Sequence, residues 1–232
     1  MRGLKLFGLC LLLAAGSAGA QVTGTVTLTS DYDFRGISQS AEDPALQGSV
    51  DWAHDSGFYA GLWGSNIDFG DGFDSDVEID AYIGFAGGDE EGFTFDTGIV
   101  YYSYWPEDDD VDVDYFEVFF GGAYNVFDAK FWYSDDYFGV GESAYYIEGN
   151  LNFELPQGIG LGVHAGISDG DAYEESITDY GVSVSYTVSH IDLELKYVDT
   201  DIDSQECEDP VFSCEGRIIL SASTTFPWGA EE

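Results

Sequence analysis

From Val22 to Gly36 the chain reads VTGTVTLTSDYDFRG. Val26, Leu28, Tyr32 and Phe34 share one parity, whereas Thr23, Thr25, Thr27, Thr29, Asp31, Asp33 and Arg35 share the other. Successive side chains of an extended chain point to opposite faces, so this is a ribbon with one apolar and one ionic face. Its length narrows the choice further. A strand that crosses a bilayer needs about 9–11 residues, and soluble strands cluster near 5–6. Similar long segments recur to the C-terminus. Turn residues divide them into twelve predicted strands, at 22–35, 45–54, 57–69, 75–87, 92–104, 112–122, 125–138, 142–155, 159–168, 175–188, 191–202 and 215–226.

Several segments alternate cleanly. Val77, Ile79, Ala81, Ile83 and Phe85 oppose Asp76, Glu78, Asp80 and Tyr82. Tyr145, Ile147, Leu151, Phe153 and Leu155 oppose Glu148, Asn150, Asn152 and Glu154. Ile191, Leu193, Leu195 and Tyr197 oppose Asp192, Glu194 and Lys196, and Ile218, Leu220 and Phe226 lie opposite Arg217. Segments 57–69, 92–104 and 112–122 are aromatic on both parities and cannot be oriented this way. Connections also alternate. Those after even-numbered strands are short, such as Ser189-His190. Most of those after odd-numbered strands are longer and acidic, with Gly139 to Gly141 the exception. Short turns at one end and long loops at the other characterise bacterial outer-membrane barrels.

Arg2 and Lys5 precede an apolar run, Leu6 to Ala15, and a small-residue stretch ending at Ala20. This layout predicts a signal peptide over residues 1–20, leaving 21–232 as the barrel. Beyond it no apolar stretch approaches the length of a spanning helix. In lipid only helices and closed barrels pair every backbone polar group. The expected fold is therefore all-β: a single antiparallel up-and-down transmembrane β-barrel of about twelve strands in the bacterial outer membrane. Its apolar parity would face outer-membrane lipid and lipopolysaccharide. Tyr32, Phe34, Phe58, Tyr59, Phe69, Tyr102, Tyr104, Trp105, Tyr133, Tyr137 and Phe226 fall near strand ends, as interface girdles require. A soluble β-sandwich also alternates, but it would place the ionic parity outside and keep its strands short.

The formal charge is −39, and beyond the leader only Arg35, Lys130, Lys196 and Arg217 are basic against 45 acidic residues. Nucleic acid is excluded as a partner, because phosphate contacts need Lys and Arg. Such a charge attracts cations, although adaptation of an exported protein to a saline habitat gives the same acidity. Cys207 and Cys214 flank CEDPVFSC, and two cysteines in an exported chain predict a disulfide.

SDYDFRGISQS, SVDWAHDSGFYAGLWGSNIDF and EIDAYIGFAGG resemble the opening strands of the TorF family of porins, and the likeness extends from Val22 to Phe226. The resemblance implies an outer-membrane barrel with channel function. Barrels of this kind end on an aromatic residue. Phe226 fits, but Pro227 to Glu232 follow it and depart from the pattern.

With the ionic parity inward, the lumen would hold Asp31, Asp33, Arg35, Glu78, Asp80, Lys130, Glu148, Glu154, Asp192, Glu194, Lys196 and Arg217. Acidic rings favour cations. The expected function is a passive channel for small solutes or ions with cation preference, its lumen narrow or plugged by inward charge pairs. The alternative is a non-conducting structural or cation-binding barrel. A barrel-embedded lipid hydrolase or acyltransferase needs a base. His54 and His190 fall in short turns, and His164 lies among Gly160, Gly162 and Gly166. Neither an enzyme nor a cofactor is expected. Asp199, Asp201 and Asp203 begin like a calcium loop, but Ser204 and Pro210 occupy the positions of its glycine and closing glutamate. They are metal candidates that lack two of the loop's defining residues, and diffuse cation bridging to lipopolysaccharide is the more economical use of such loops.

Overall fold

A computed structural model describes residues 20–70, 73–89, 92–106, 112–203 and 212–227. The chain opens with β1 (Gln21–Thr29) and two short strands, β2 (Asp33–Phe34) and β3 (Ile37–Ser38). It continues with β4 (Ala45–Ala53), β5 (Phe58–Asn66), β6 (Val77–Gly88), β7 (Phe93–Trp105), β8 (Tyr115–Tyr124) and β9 (Phe127–Ser134). The last strands are β10 (Ala144–Leu155), β11 (Ile159–Asp169), β12 (Ile177–Val188), β13 (Ile191–Thr200) and β14 (Arg217–Phe226). All strands but β2 and β3 form one closed antiparallel barrel, in which each pairs with its neighbours in sequence. The seam is β1, where Val26 lies opposite Gly48 of β4 and Thr224 of β14.

Alternation fixes what each face meets. In β6, Val77, Ile79 and Ile83 are exposed, while Glu78, Asp80 and Tyr82 are buried inside. Every barrel strand carries exposed Val, Leu, Ile or Phe side chains on its outer face, among them Leu28, Leu62, Phe120 and Leu220. An apolar girdle of this extent exceeds the few hundred Å2 or so that a soluble monomer exposes. It is the surface a bilayer covers.

The structure corrects the first predicted strand. Instead of running to Arg35, β1 ends at Thr29; Ser30 bonds to Leu220, and the chain turns into the barrel. Tyr32 and Phe34 therefore pack inside and do not face lipid. Most of the predicted girdle is corrected with them. Phe58, Trp105, Tyr133 and Phe226 are exposed, but Tyr59, Phe69, Tyr102 and Tyr104 are buried in the lumen, and Tyr137 packs against that cluster. The physical reason is that the inner face here meets protein and not water, so aromatic side chains on it become core. The segments that could not be oriented are those that supply this inner aromatic wall, through Tyr59, Trp63, Tyr102, Tyr104, Tyr115 and Phe119.

Candidate functional site

The inward segment is a folded hairpin. Asp33 pairs with Ser38 and Phe34 with Ile37, which leaves Arg35 and Gly36 as a two-residue turn. Their φ values are 53° and 85°, both positive, as the tightest hairpin turns require. Gly36 has a second reason to lack a side chain: a Cβ there would meet Asp179 and Thr200 on the barrel wall. The base of the hairpin is tied locally. Ser38 Oγ donates to Asp31 at 2.5 Å, the Tyr32 amide donates to Ser40 Oγ at 2.9 Å, and the Gln39 amide donates to the Tyr32 carbonyl at 2.7 Å.

Side chains of this hairpin reach the wall on every side. Tyr32 donates to Glu78 of β6 at 3.1 Å and its ring lies 5.3 Å from Trp63 of β5. Phe34 meets Tyr102 of β7 edge-on at 6.1 Å. Arg35 forms a two-pronged ion pair with Glu117 of β8, at 2.9 and 2.6 Å. The Arg35 guanidinium also lies 4.5 Å from the ring centre of Tyr146 on β10 and 5.7 Å from Trp132 on β9. On the opposite side, Arg217 of β14 grips Asp31 at 2.5 Å and Asp33 at 2.6 Å, and Lys196 of β13 reaches Asp33 at 2.6 Å. A segment that bonds to opposite walls of a ring must cross its section. The hairpin spans the lumen at the end that carries the long loops.

Asp31, Asp33 and Arg35 thus belong to this hairpin and not to the strand wall where the alternation placed them. They meet Lys196 of β13 and Arg217 of β14, which are on the wall. Burial is deep: the Glu117 side chain is fully enclosed and that of Arg35 is 8% exposed. Burial alone would push the Arg35 guanidinium down, but the adjoining Glu117 carboxylate holds it above its ordinary value. Burial, reinforced by the charges of Glu78 and Asp80, pushes the Tyr32 phenol up, so Tyr32 stays a donor.

Toward the short-turn end the lumen changes character. Asp51, Asp96, Asp128, Glu148, Asp192 and Glu194 occupy inward positions there, and Glu154 is exposed near the rim. Lys130 is the one Lys or Arg among them, bonded to Asp96 at 2.9 Å. Tyr59 also donates to Asp96, at 2.6 Å, and Tyr82 donates to Asp51. Asn150 and Asn152 donate to Asp128, and Trp132 Nε1 donates to Glu148. His164 is no isolated spacer. Its Nε2 lies 2.7 Å from Asp179 and its Nδ1 lies 2.6 Å from Asn150.

The remaining candidates behave differently. Asp199 bonds to Tyr180 and Tyr197 on the outer face, and Asp201 accepts from the Thr178 amide. Asp203 does not join them in a cluster: among the described residues no three His, Cys, Asp or Glu side chains converge to hold a metal. Cys214 is buried and disulfide-bonded, and Cys207 lies outside the described residues, as does the predicted leader up to residue 19. Alternation alone does not mark Glu117, Asp96, Asp128 or Asp179. A signal for Glu117 was present in YFEVFF, where one carboxylate interrupts an aromatic strand.

Residues 13–226 match the model of a family described as "Bacterial protein of unknown function (Gcw_chp)". Among curated proteins none matches the sequence. Among solved structures the barrel is similar to the NanC porin (TM-score 0.59, 8% identity, covering 89% of this chain and 100% of that one). It is also similar to the KdgM porin (TM-score 0.57, 9% identity, 90% and 100% covered). At such identities the likeness is one of fold: the architecture is that of an outer-membrane porin.

Proposed function

The chain belongs to the Gcw_chp family of bacterial proteins of unknown function, and we propose that it is an outer-membrane channel for small solutes or ions with cation preference, closed by its own hairpin. Residues 1–20 would serve as the export leader and 21–232 as the barrel. The observation that carries this reading is how charge is divided along the lumen. Arg35, Lys196 and Arg217 are spent on holding the hairpin, and Lys130 is paired with Asp96. The inner half is left lined by carboxylates, and a lumen of that sign raises the local concentration of cations. The porin fold and the likeness of SDYDFRGISQS to the TorF porins support the same conclusion.

One observation favours a second reading, a structural barrel that does not conduct: the hairpin bonds to opposite walls at once. Planar-bilayer recording under a KCl gradient separates the two. Discrete current steps with a reversal potential on the K+ side support the channel. Folded, inserted protein without steps, in wild type and in a barrel lacking the hairpin alike, favours the structural barrel, and a reversal potential on the chloride side contradicts the acidic-lumen argument.

A further inference from the structure

The wall that receives Arg35 is a site in its own right. Four neighbouring strands supply it: Tyr102 from β7, Glu117 from β8, Trp132 from β9 and Tyr146 from β10. Each sits on the inward parity of its strand, so the arrangement is built by the barrel and not by the hairpin. Tyr102 donates to Glu117 at 3.0 Å and so fixes the carboxylate that faces the guanidinium. Aromatic faces around a carboxylate are the chemistry that recognises organic cations, because ring quadrupoles and a fixed negative charge act on the same ligand. Among the described residues no other Lys or Arg pairs with Glu117; Lys130, Lys196 and Arg217 are held by Asp96, Asp31 and Asp33.

We propose that this Glu117 cage is a binding site for solutes bearing a guanidinium group, and that Arg35 fills it as a tethered stand-in while the hairpin is seated. This rests on the channel reading and names a substrate class for it. Withdrawal of the hairpin leaves Glu117 open to the lumen, flanked by aromatic side chains and without its cation, and an entering guanidinium restores the pair. The turn suits that role. Arg35 occupies the hairpin tip, at a left-handed position that a non-glycine residue adopts at a cost, and its guanidinium enters the cage beside the Phe34 ring, 4.6 Å from the guanidinium carbon. The wall therefore holds the charged group through Glu117 and its aromatic neighbours.

The test uses the full-length barrel in detergent, with folding checked by heat-modifiable gel migration. Agmatine, which carries a guanidinium, is titrated against Arg35→Ala while the unfolding midpoint is followed. A saturable rise in midpoint is expected for Arg35→Ala. Wild type, whose cage is filled, should respond far less, and Arg35→Ala combined with Glu117→Gln should bind about tenfold or more weakly. No saturable rise in folded Arg35→Ala overturns the proposal, as does an equal rise in the Glu117→Gln combination. Should Arg35→Ala not fold, Arg35→Gln keeps the bulk of the tip and carries the same titration. Bilayer conductance of the same variant separates the two readings. Conduction without agmatine binding removes the cage and keeps the channel; binding without conduction keeps the cage and removes the channel.

Discussion

Replacing Arg35 by Ala should unlatch the hairpin, and the size of the effect follows from burial. Glu117 is fully enclosed and Arg35 is 8% exposed, so the pair is shielded from water and salt. Removing one partner of a buried pair costs about 3–5 kcal/mol, because the other charge stays desolvated without compensation. The guanidinium also leaves the face of Tyr146, 4.5 Å away, which adds about 0.5–2 kcal/mol. That cost falls on the seated hairpin. The withdrawn hairpin opens Glu117 toward the lumen and largely escapes it. At about 1.4 kcal/mol per tenfold, the seated-to-withdrawn ratio drops by at least about a hundredfold. In single-channel recordings, rare openings of wild type should become the dominant state of Arg35→Ala. Adding Glu117→Gln should restore part of the closure, since a neutral amide is cheaper to bury than an unpaired carboxylate. Folded Arg35→Ala with the open probability and conductance of wild type would refute the reasoning.

Other outcomes follow from the same contacts. Gly36→Ala adds a Cβ against Asp179 and Thr200 at a φ of 85°, so openings should increase although no charge is lost. Arg217→Ala removes the cation shared by Asp31 and Asp33 and should raise open probability at least as much as Lys196→Ala, since Lys196 is the more exposed partner; the two are compared in the same recordings. Ile83→Arg puts a charge on the lipid face of β6 and should cost about 2–4 kcal/mol if it lies near the midplane, read as a lower urea midpoint for folding into vesicles. The raised Tyr32 phenol gives a signed pH effect. Seated Tyr32 resists ionisation and withdrawn Tyr32 does not, so closure is constant below the ordinary value of 10.0 and weakens above it. Tyr32→Phe should flatten the rise in open probability seen there.

Much of this architecture is written in the two-residue period. In β6 and β10 the pattern assigns Glu78, Asp80 and Glu148 to the interior and Ile79, Ile83 and Ile147 to the lipid, as the structure has them. The same period misleads at Asp31 to Arg35. Alternation reports that the backbone is extended, and β2 is extended; it does not report that the chain has turned off the wall. The apparent girdle at Tyr59, Tyr102 and Tyr104 fails for a related reason. Aromatic side chains suit a membrane interface and a protein core equally, and only the hairpin, a long-range partner, decides between them. The pattern does not orient Glu117, because Tyr115 and Phe119 beside it are as apolar as Phe116 and Val118, and β8 has no ionic face to read. Scarcity was the better guide. With so few basic residues beyond the leader, each is a candidate for an ion pair with the surrounding carboxylates, and Arg35, Lys130, Lys196 and Arg217 all form one.

If one hairpin corks an otherwise continuous acidic lumen, its removal should open the barrel. Bilayer recordings of a barrel in which a short Gly-Ser linker replaces residues 31–43 address it directly, with wild type measured alongside. A steady K+-selective conductance is expected for the shortened barrel and mostly closed traces for wild type. A correctly folded, inserted deletion variant that stays silent, or one that conducts no better than wild type, would contradict it.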